Sequence, residues 1–321
     1  GCDGDVPVDG ASGACEWEGF VPFEQLPSSF NPVSGMLVTA NHNPFPESFP
    51  ARVTGSFDPG YRGRQIRDLL SARSGWNAES MLAVQKDVYS GFSQFLARQA
   101  VAAYDSRGRG NRSLLEAAKI LRSWNGQMEK DQAAPLVVSL LYQHVRSAMA
   151  ERAMPGKGLA YRAAMAPAVI ERLLKERPKG WFEDYDLVLL RAFDEAVEEG
   201  RRIQGNNIRK WRYGVYNELR VLHPIAGRLP LVGKYFDIGP VAMSGSSTTV
   251  KQTTPVLGPS MRMVADVGDW DRSWLGIPAG QSGHVLSSHY KDQWDSYYIG
   301  GSFPMPFRNV TAKDVLTVDP M

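Results

Sequence analysis

Only two of the 321 residues are cysteine, and both, Cys2 and Cys15, lie near the start of the chain. A structural zinc centre built from cysteine alone takes four thiolates, so two exclude it. They are read as a disulfide closing a short loop, with two free thiols as the alternative. A disulfide implies an oxidising compartment, hence a periplasmic or secreted protein. Long apolar runs are missing too: nothing approaches the ~18 uninterrupted apolar residues that a spanning helix needs. Nor is there an excess of charge. Lys plus Arg is 36 against 34 for Asp plus Glu, a formal net charge of +2. Such a balance lacks the footprint of a nucleic-acid or anionic-membrane partner. The opening Gly1-Cys2-Asp3-Gly4-Asp5 has no basic region, no apolar run and no initiator Met, so the chain is expected to be a processed polypeptide or part of one.

Generic chemical motifs are equally scarce. The five histidines are His42, His144, His223, His284 and His289, and no His-Glu-x-x-His pair occurs. His284 and His289 stand five apart in a Gly/Ser-rich loop, poor spacing for metal ligands. Gly239-Pro-Val-Ala-Met-Ser-Gly245 lacks the Lys-Ser/Thr ending of a phosphate-cradling loop. There is no Gly-x-Ser-x-Gly elbow. Ser282, between Gln281 and Gly283, has no recognisable base beside it and reads as a turn residue.

What is present is a globular composition, 43% hydrophobic and 22% charged, in three zones. Residues 1–60 are rich in Gly, Pro and aromatics. Here Met36–Ala40 is the clearest strand, introduced by the turn signal Asn31-Pro-Val-Ser-Gly35. Residues 61–215 carry helical periodicity: Met81, Val84, Val88, Phe92, Phe95 and Leu96; Val137, Val138, Leu141, Val145, Ala148 and Met149; Leu189, Leu190, Phe193, Ala196 and Val197. Asn77 reads as an N-cap with Ser80 in the first turn, and Gly200 is expected near the end of a helix. Residues 216–321 return to strand and turn signals, with strands expected at Ser246–Val250 and Met261–Ala265 and a short helix at Thr311–Leu316. Strands, a helical block and strands again predict an α+β fold, one sheet interrupted by a helical insertion.

One segment, Gly35-Met-Leu-Val-Thr-Ala-Asn41-His-Asn43-Pro44, delivers an amide to the end of a strand. That amide can donate N–H to a developing oxyanion. It can equally cap the following turn, and on these residues alone the turn is preferred.

The surrounding residues shift that weighting. They are Val6-Pro-Val-Asp-Gly10, Glu16-Trp-Glu-Gly-Phe-Val-Pro-Phe-Glu-Gln-Leu-Pro27, Asn31 through His42, and Tyr61-Arg-Gly-Arg-Gln-Ile66. Further on come His223-Pro224, Gly280-Gln-Ser-Gly283 and His289-Tyr-Lys-Asp-Gln293. In this order and spacing the chain resembles the penicillin amidase family of N-terminal-nucleophile hydrolases, and specifically the C-terminal part of its β subunit.

The resemblance implies part of a four-layer αββα sandwich and cleavage of a linear amide. The substrate would be the acyl side chain of a β-lactam, an acyl-homoserine lactone or a related N-acyl compound. In the family a precursor cuts itself into α and β chains, and the Ser that opens the β chain attacks the amide. Its own α-amine, with a reference pKa near 8, acts as base. That Ser is expected from a segment outside this chain, so the implied partners are the α chain and the N-terminal part of the β chain. Cys2 is not read as a substitute nucleophile, because its context matches an internal family segment. Carried over by the resemblance, Asn41 is half of the oxyanion hole, and Arg62 positions that Asn; His42 receives no role. The segments at 280–283 and 289–293 are read as turn-shaping, and Trp17, Phe20 and Phe23 are expected to pack the sheet. No cofactor is required. A structural Ca2+ held partly by the Gly4 carbonyl is the metal that the resemblance suggests, but the matching Asp position falls near Val53. A Val side chain offers no oxygen, and the ion needs several. The alternative reading is an inactive acylase-like protein serving as an acyl-ligand binding or assembly module.

Overall fold

A computed structural model describes residues 2, 7–17, 19–49, 53, 55, 57–229, 232–312 and 315–319. From position 61 onward, apolar residues recurring every three or four positions fold the chain into successive helices. They are α1 (Tyr61–Ser71), α2 (Ala78–Gln85), α3 (Gly91–Ala103), α4 (Leu115–Ser123), α5 (Ala134–Ala153), α6 (Gly158–Tyr161), α7 (Pro167–Glu176) and α8 (Tyr185–Gln204). Local chemistry sets their ends. Asn77 and Ser80 form a reciprocal capping box on α2, satisfying donors that the first turn leaves orphaned. Asp184 accepts from the backbone N–H groups of Asp186 and Leu187 at the start of α8. Pro167 opens α7, where its missing N–H costs nothing. Helix α8 runs four residues beyond Gly200 and ends at Gly205, whose φ of 79° suits a residue without Cβ.

The predicted stripes become the core. Val137, Leu141 and Val145 of α5 meet Leu189, Phe193, Ala196 and Val197 of α8, all fully buried. Each such side chain contributes roughly 1.5–3 kcal/mol on burial. Helices α3, α4 and α7 complete the cluster, which extends from Tyr61 to Tyr213.

Beyond the helices the chain makes short antiparallel strands. Strand β1 (Glu218–Val221) pairs with β2 (Ile238–Ala242), Leu219 opposite Val241. Strands β3 (Arg262–Val264), β4 (Trp274–Gly276) and β5 (Phe303–Pro304) form a second sheet in that order. Two further short helices, α9 (Gly233–Phe236) and α10 (Trp294–Tyr298), lie between strands. The Asn217 amide donates to the carbonyls of Met243 and Gly245 at 3.0 and 3.2 Å. Tyr213 Oη also reaches Gly245 O, at 2.9 Å. The Gln85 amide of α2 donates to Met263 O of β3 at 2.9 Å. These bonds fasten both sheets to the helical block. The expectation of a strand at 261–265 is met by β3.

Other expectations are corrected. Met36–Ala40 forms no strand and joins no ladder, since among the described residues no strand lies beside it to satisfy its backbone groups. Ser246–Val250 is a loop with one isolated bridge, Ser246 to Gln252. Its β-branched Thr249 spends the hydroxyl on its own backbone, accepting from Ser246 N at 2.9 Å and donating to Lys251 O at 2.6 Å. Such local bonding competes with a ladder. Residues 311, 312, 315 and 316 are not helical, and 313 and 314 lie outside the described residues. Among the described residues Trp17, Phe20 and Phe23 pack on nothing: they are 95%, 101% and 81% exposed. Cys2 and Cys15 are bonded, S–S 2.02 Å with Cα atoms 5.2 Å apart.

Candidate active site

The first turn of α1 and the turn at 40–43 meet at the surface. Asn41 lies in the left-handed region at φ 60°, a conformation that Asn tolerates better than most residues because its short amide bonds locally. Its carbonyl accepts from Asp58 N at 2.8 Å, which folds 57–60 back against the turn. That loop leads directly into α1, where Arg62 occupies the second position.

Arg62 closes the arrangement. Its Nη2 is 2.9 Å from Ala40 O and 2.8 Å from Asn41 Oδ1, and it forms an ion pair with the Asp58 carboxylate in the loop four residues earlier. Three acceptors share two protons on one nitrogen. The Arg62 side chain is 12% exposed, so these contacts are only partly screened by water. A guanidinium has donors and no acceptor, so the atom that Asn41 turns toward it must be the carbonyl oxygen. The other end of the amide, Nδ2, therefore points away, and Asn41 is exposed. Among the described residues Nδ2 meets no acceptor. The result is a fixed N–H donor at the surface, aimed by a cation behind it. Preorganised donors of this kind stabilise charge that develops in a transition state.

His42 packs its ring edge against α1. A Cβ on Gly63 would sit 2.9 Å from His42 Nδ1, so only glycine lets the turn approach the helix this closely. His42 Nδ1 is buried with no partner among the described residues, and nothing assigns it a chemical role.

The structure thus brings Asn41 and Arg62 into contact and adds Asp58. Asp58 stands in the loop before α1, so the helical i to i+4 rule was no guide to that pair. A second addition has no sequence signal at all: Tyr61 Oη donates to the carboxylate of Glu171, 110 residues away on α7.

The remaining candidates fall elsewhere. Ser282 Oγ accepts from His284 N at 3.1 Å, a local turn rather than a nucleophile with a base. Gly280 N donates to Tyr290 O and Ser282 N to His289 O, both at 3.0 Å, so segments 280–283 and 289–293 lie side by side. A Cβ on Gly280 would fall 1.8 Å from His289 O. Gly4 lies outside the described residues, so its carbonyl as a calcium ligand has no geometry to assess. Among the described residues no group of three or more His, Cys, Asp or Glu side chains is placed to hold a metal ion. No helix among them is long and apolar enough to cross a membrane.

The chain is similar to the penicillin acylase 2 proenzyme of Pseudomonas sp. (strain SE83), 26% identical over 308 residues, or 91% of this chain and 39% of that protein. It is similar to the acyl-homoserine lactone acylase QuiP of Pseudomonas aeruginosa, 24% identical over 350 residues, or 94% of this chain and 41% of that protein. This chain therefore spans about two fifths of the length of these relatives. Among solved structures, the thermostable penicillin G acylase from Alcaligenes faecalis superposes with a TM-score of 0.66 at 19% identity. The match covers 98% of this chain and 62% of that one, so the two share a fold of mixed helix and strand. The penicillin amidase family model matches residues 1–314, nearly the whole sequence, and on that match the chain belongs to the penicillin amidase family.

Proposed function

We propose that this chain is part of an acylase-type amidohydrolase in which Asn41 Nδ2 donates to the oxyanion of the tetrahedral intermediate. The observation that carries the reading is the Arg62–Asn41 contact at 2.8 Å, which turns the amide oxygen inward and leaves the N–H outward. The substrate is a linear N-acyl compound: the acyl side chain of a β-lactam, an acyl-homoserine lactone or a relative of these.

In this reading a Ser hydroxyl, supplied by a segment outside this chain, attacks the amide carbonyl. Its proton passes to the α-amine of that Ser and from there to the departing amine nitrogen. The carbonyl oxygen becomes an oxyanion, held on one side by Asn41. Collapse expels the amine and leaves an acyl ester, which water then hydrolyses. Arg62 acts through Asn41 by fixing its amide. The partners are the α chain and the N-terminal part of the β chain. The exposed Trp17, Phe20, Phe23 and Phe30 supply apolar surface for such segments to cover. Their strands would extend the α+β architecture to the four-layer αββα sandwich. The Cys2–Cys15 bond supports a periplasmic or secreted location. The chemistry requires no metal.

The test is turnover of chromogenic phenylacetyl and long-chain acyl anilides by the complete protein and by its Asn41→Gly variant. Glycine keeps the left-handed turn but removes the donor. A drop in kcat of about 10²–10³-fold is expected, the loss typical of one oxyanion donor. Undiminished turnover in Asn41→Gly would remove the assignment. Tight binding of the anilides without any turnover by the unaltered protein would favour an acyl-ligand binding module instead.

A further inference from the structure

We infer that Tyr61 and Glu171 are positioning residues for the donor at Asn41, an inference that rests on the oxyanion role proposed for that amide. The two belong to distant parts of the chain, the first residue of α1 and the middle of α7.

Helix α1 is weakly anchored by itself. Its N-cap is Gly60, which offers no side chain to bond the first turn, and only Tyr61 and Gly63 of its eleven residues are buried. The position of the turn bearing Arg62 is therefore set largely by what Tyr61 holds. The Tyr61 ring is 8% exposed. It lies 5.8 Å from Phe92 of α3, with the Arg64 guanidinium 5.2 Å from its centroid. Its hydroxyl donates to Oε2 of Glu171, whose Oε1 is taken by Lys175 one turn further along α7. Lys175 thus holds one oxygen of the carboxylate and leaves the other to accept from Tyr61.

The protonation states favour this contact across the neutral range. Burial, and then the hydrogen bond to Glu171, push ionisation of the Tyr61 phenol upward. Burial alone would raise the Glu171 carboxyl. The bonds from Lys175 and Tyr61 outweigh it and hold the group below the ordinary carboxylate range. A phenol thus donates to a carboxylate, a stronger bond than one between neutral groups. From Tyr61 the next residue is Arg62, and from Arg62 the next contact is Asn41 Oδ1 at 2.8 Å. The helical insertion is in this way connected to the oxyanion donor through two adjacent residues and one amide.

The experiment is steady-state kinetics on the complete protein with Tyr61→Phe, Glu171→Ala, Glu171→Gln and the double variant Tyr61→Phe/Glu171→Ala, beside thermal unfolding of each. A donor shifted by a fraction of an ångström should lose about tenfold in kcat or more with KM nearly unchanged. Tyr61→Phe and Glu171→Ala should each show that loss. The double variant should lose no more than either, because both break one contact. Glu171→Gln keeps a carbonyl acceptor for the phenol and should restore most of kcat, a rescue that lost packing would not give. Lys175→Met, at an exposed position, loosens the same carboxylate without touching the core and should lower kcat about two- to threefold. Unchanged kcat in folded Tyr61→Phe, or a rise in KM alone, overturns the inference. Should Tyr61→Phe fail to fold, unchanged kcat in Lys175→Met overturns it. If Asn41→Gly is impaired while Tyr61→Phe is normal, only this inference fails. If Asn41→Gly is normal, the oxyanion role itself fails.

Discussion

Burial, and after it the Arg262 guanidinium, lowers the Lys251 ammonium from its ordinary 10.5 to about 8, while Glu129 opposes the shift. Below pH 8 the folded and unfolded states both carry the proton, and the folded state bears the whole penalty of burying it. Between pH 8 and 10.5 the folded amine is neutral while the unfolded one still holds a proton, so stability rises with pH across that window. Replacing the ammonium by a methionine of similar reach should therefore stabilise the fold at pH 7 by up to about 3 kcal/mol. The advantage of Lys251→Met should shrink by about 2 kcal/mol on going to pH 9.5. Urea midpoints of both proteins across pH 7–9.5 measure this. A gap that stays constant would mean that the ammonium is better hydrated than its burial implies. Asn41 differs in kind, because the role proposed for it uses its special backbone. At φ 60° an alanine would add ~1 kcal/mol of strain to the loss of the donor. The drop in midpoint should thus be larger for Asn41→Ala than for Asn41→Gly, while the loss of turnover is the same. At this scale the sequence was informative where a signal was local. Asn41 stood at the end of an apolar run, and Arg62 followed by the family resemblance. Glu171 carried no signal, since a contact 110 residues away leaves no mark in spacing.

Helix α8 shows how one position can serve packing and not termination. Gly200 stands near a helix end, as expected, four residues before the last residue of α8, but what it does there is make room, through its missing Cβ, for the buried Trp211. A Cβ there would meet Trp211 Cη2 at 2.3 Å and Cζ3 at 2.4 Å. The indole cannot easily retreat, because its Nε1 donates to Gly205 O at 2.8 Å. Alanine would gain up to about 1 kcal/mol in helix propensity, but overpacking a filled core costs about 1–3 kcal/mol. Gly200→Ala should therefore lose roughly 1–2 kcal/mol, read as a lower urea midpoint with unchanged slope. An equal or higher midpoint would show that Trp211 yields. The helices as a class were legible, since a 3.6-residue period depends only on neighbours along the chain, and most of the stripes in α5 and α8 became core, with Ala148 and Leu190 left half-buried. Strands were less so. A run such as Met36–Ala40 becomes a strand only if another chain segment lies beside it, and that neighbour is not written in the run. At Ser246–Val250 the hydroxyls found nearer partners than a ladder.

For the molecule as a whole, burial is divided unevenly. The core cluster runs from Tyr61 to Tyr213, and the later strands are tied to it by the Asn217, Tyr213 and Gln85 bonds. Among the described residues before Tyr61, only Ala40 is buried; Trp17, Phe20, Phe23 and Phe30 face solvent, while Phe45 and Phe49 are half-buried against each other. The main-chain bonds recorded in 7–49 are mostly within turns, so opening this stretch disrupts few apolar contacts and has a low free-energy cost. The 321-residue chain studied by itself should therefore be cut first by chymotrypsin within 7–49, leaving a resistant fragment that begins between there and Tyr61. That fragment should keep the cooperative thermal transition of the full chain, because α3, α4, α5, α7 and α8 remain intact. Added polypeptide that covers Trp17, Phe20 and Phe23 should suppress the early cuts and shift the first cleavage to exposed loops such as 154–157. First cleavage inside α5 or α8 in the chain alone would mean that residues 7–49 stabilise the helical block after all. The division of burial at Tyr61 would then not be a division of stability.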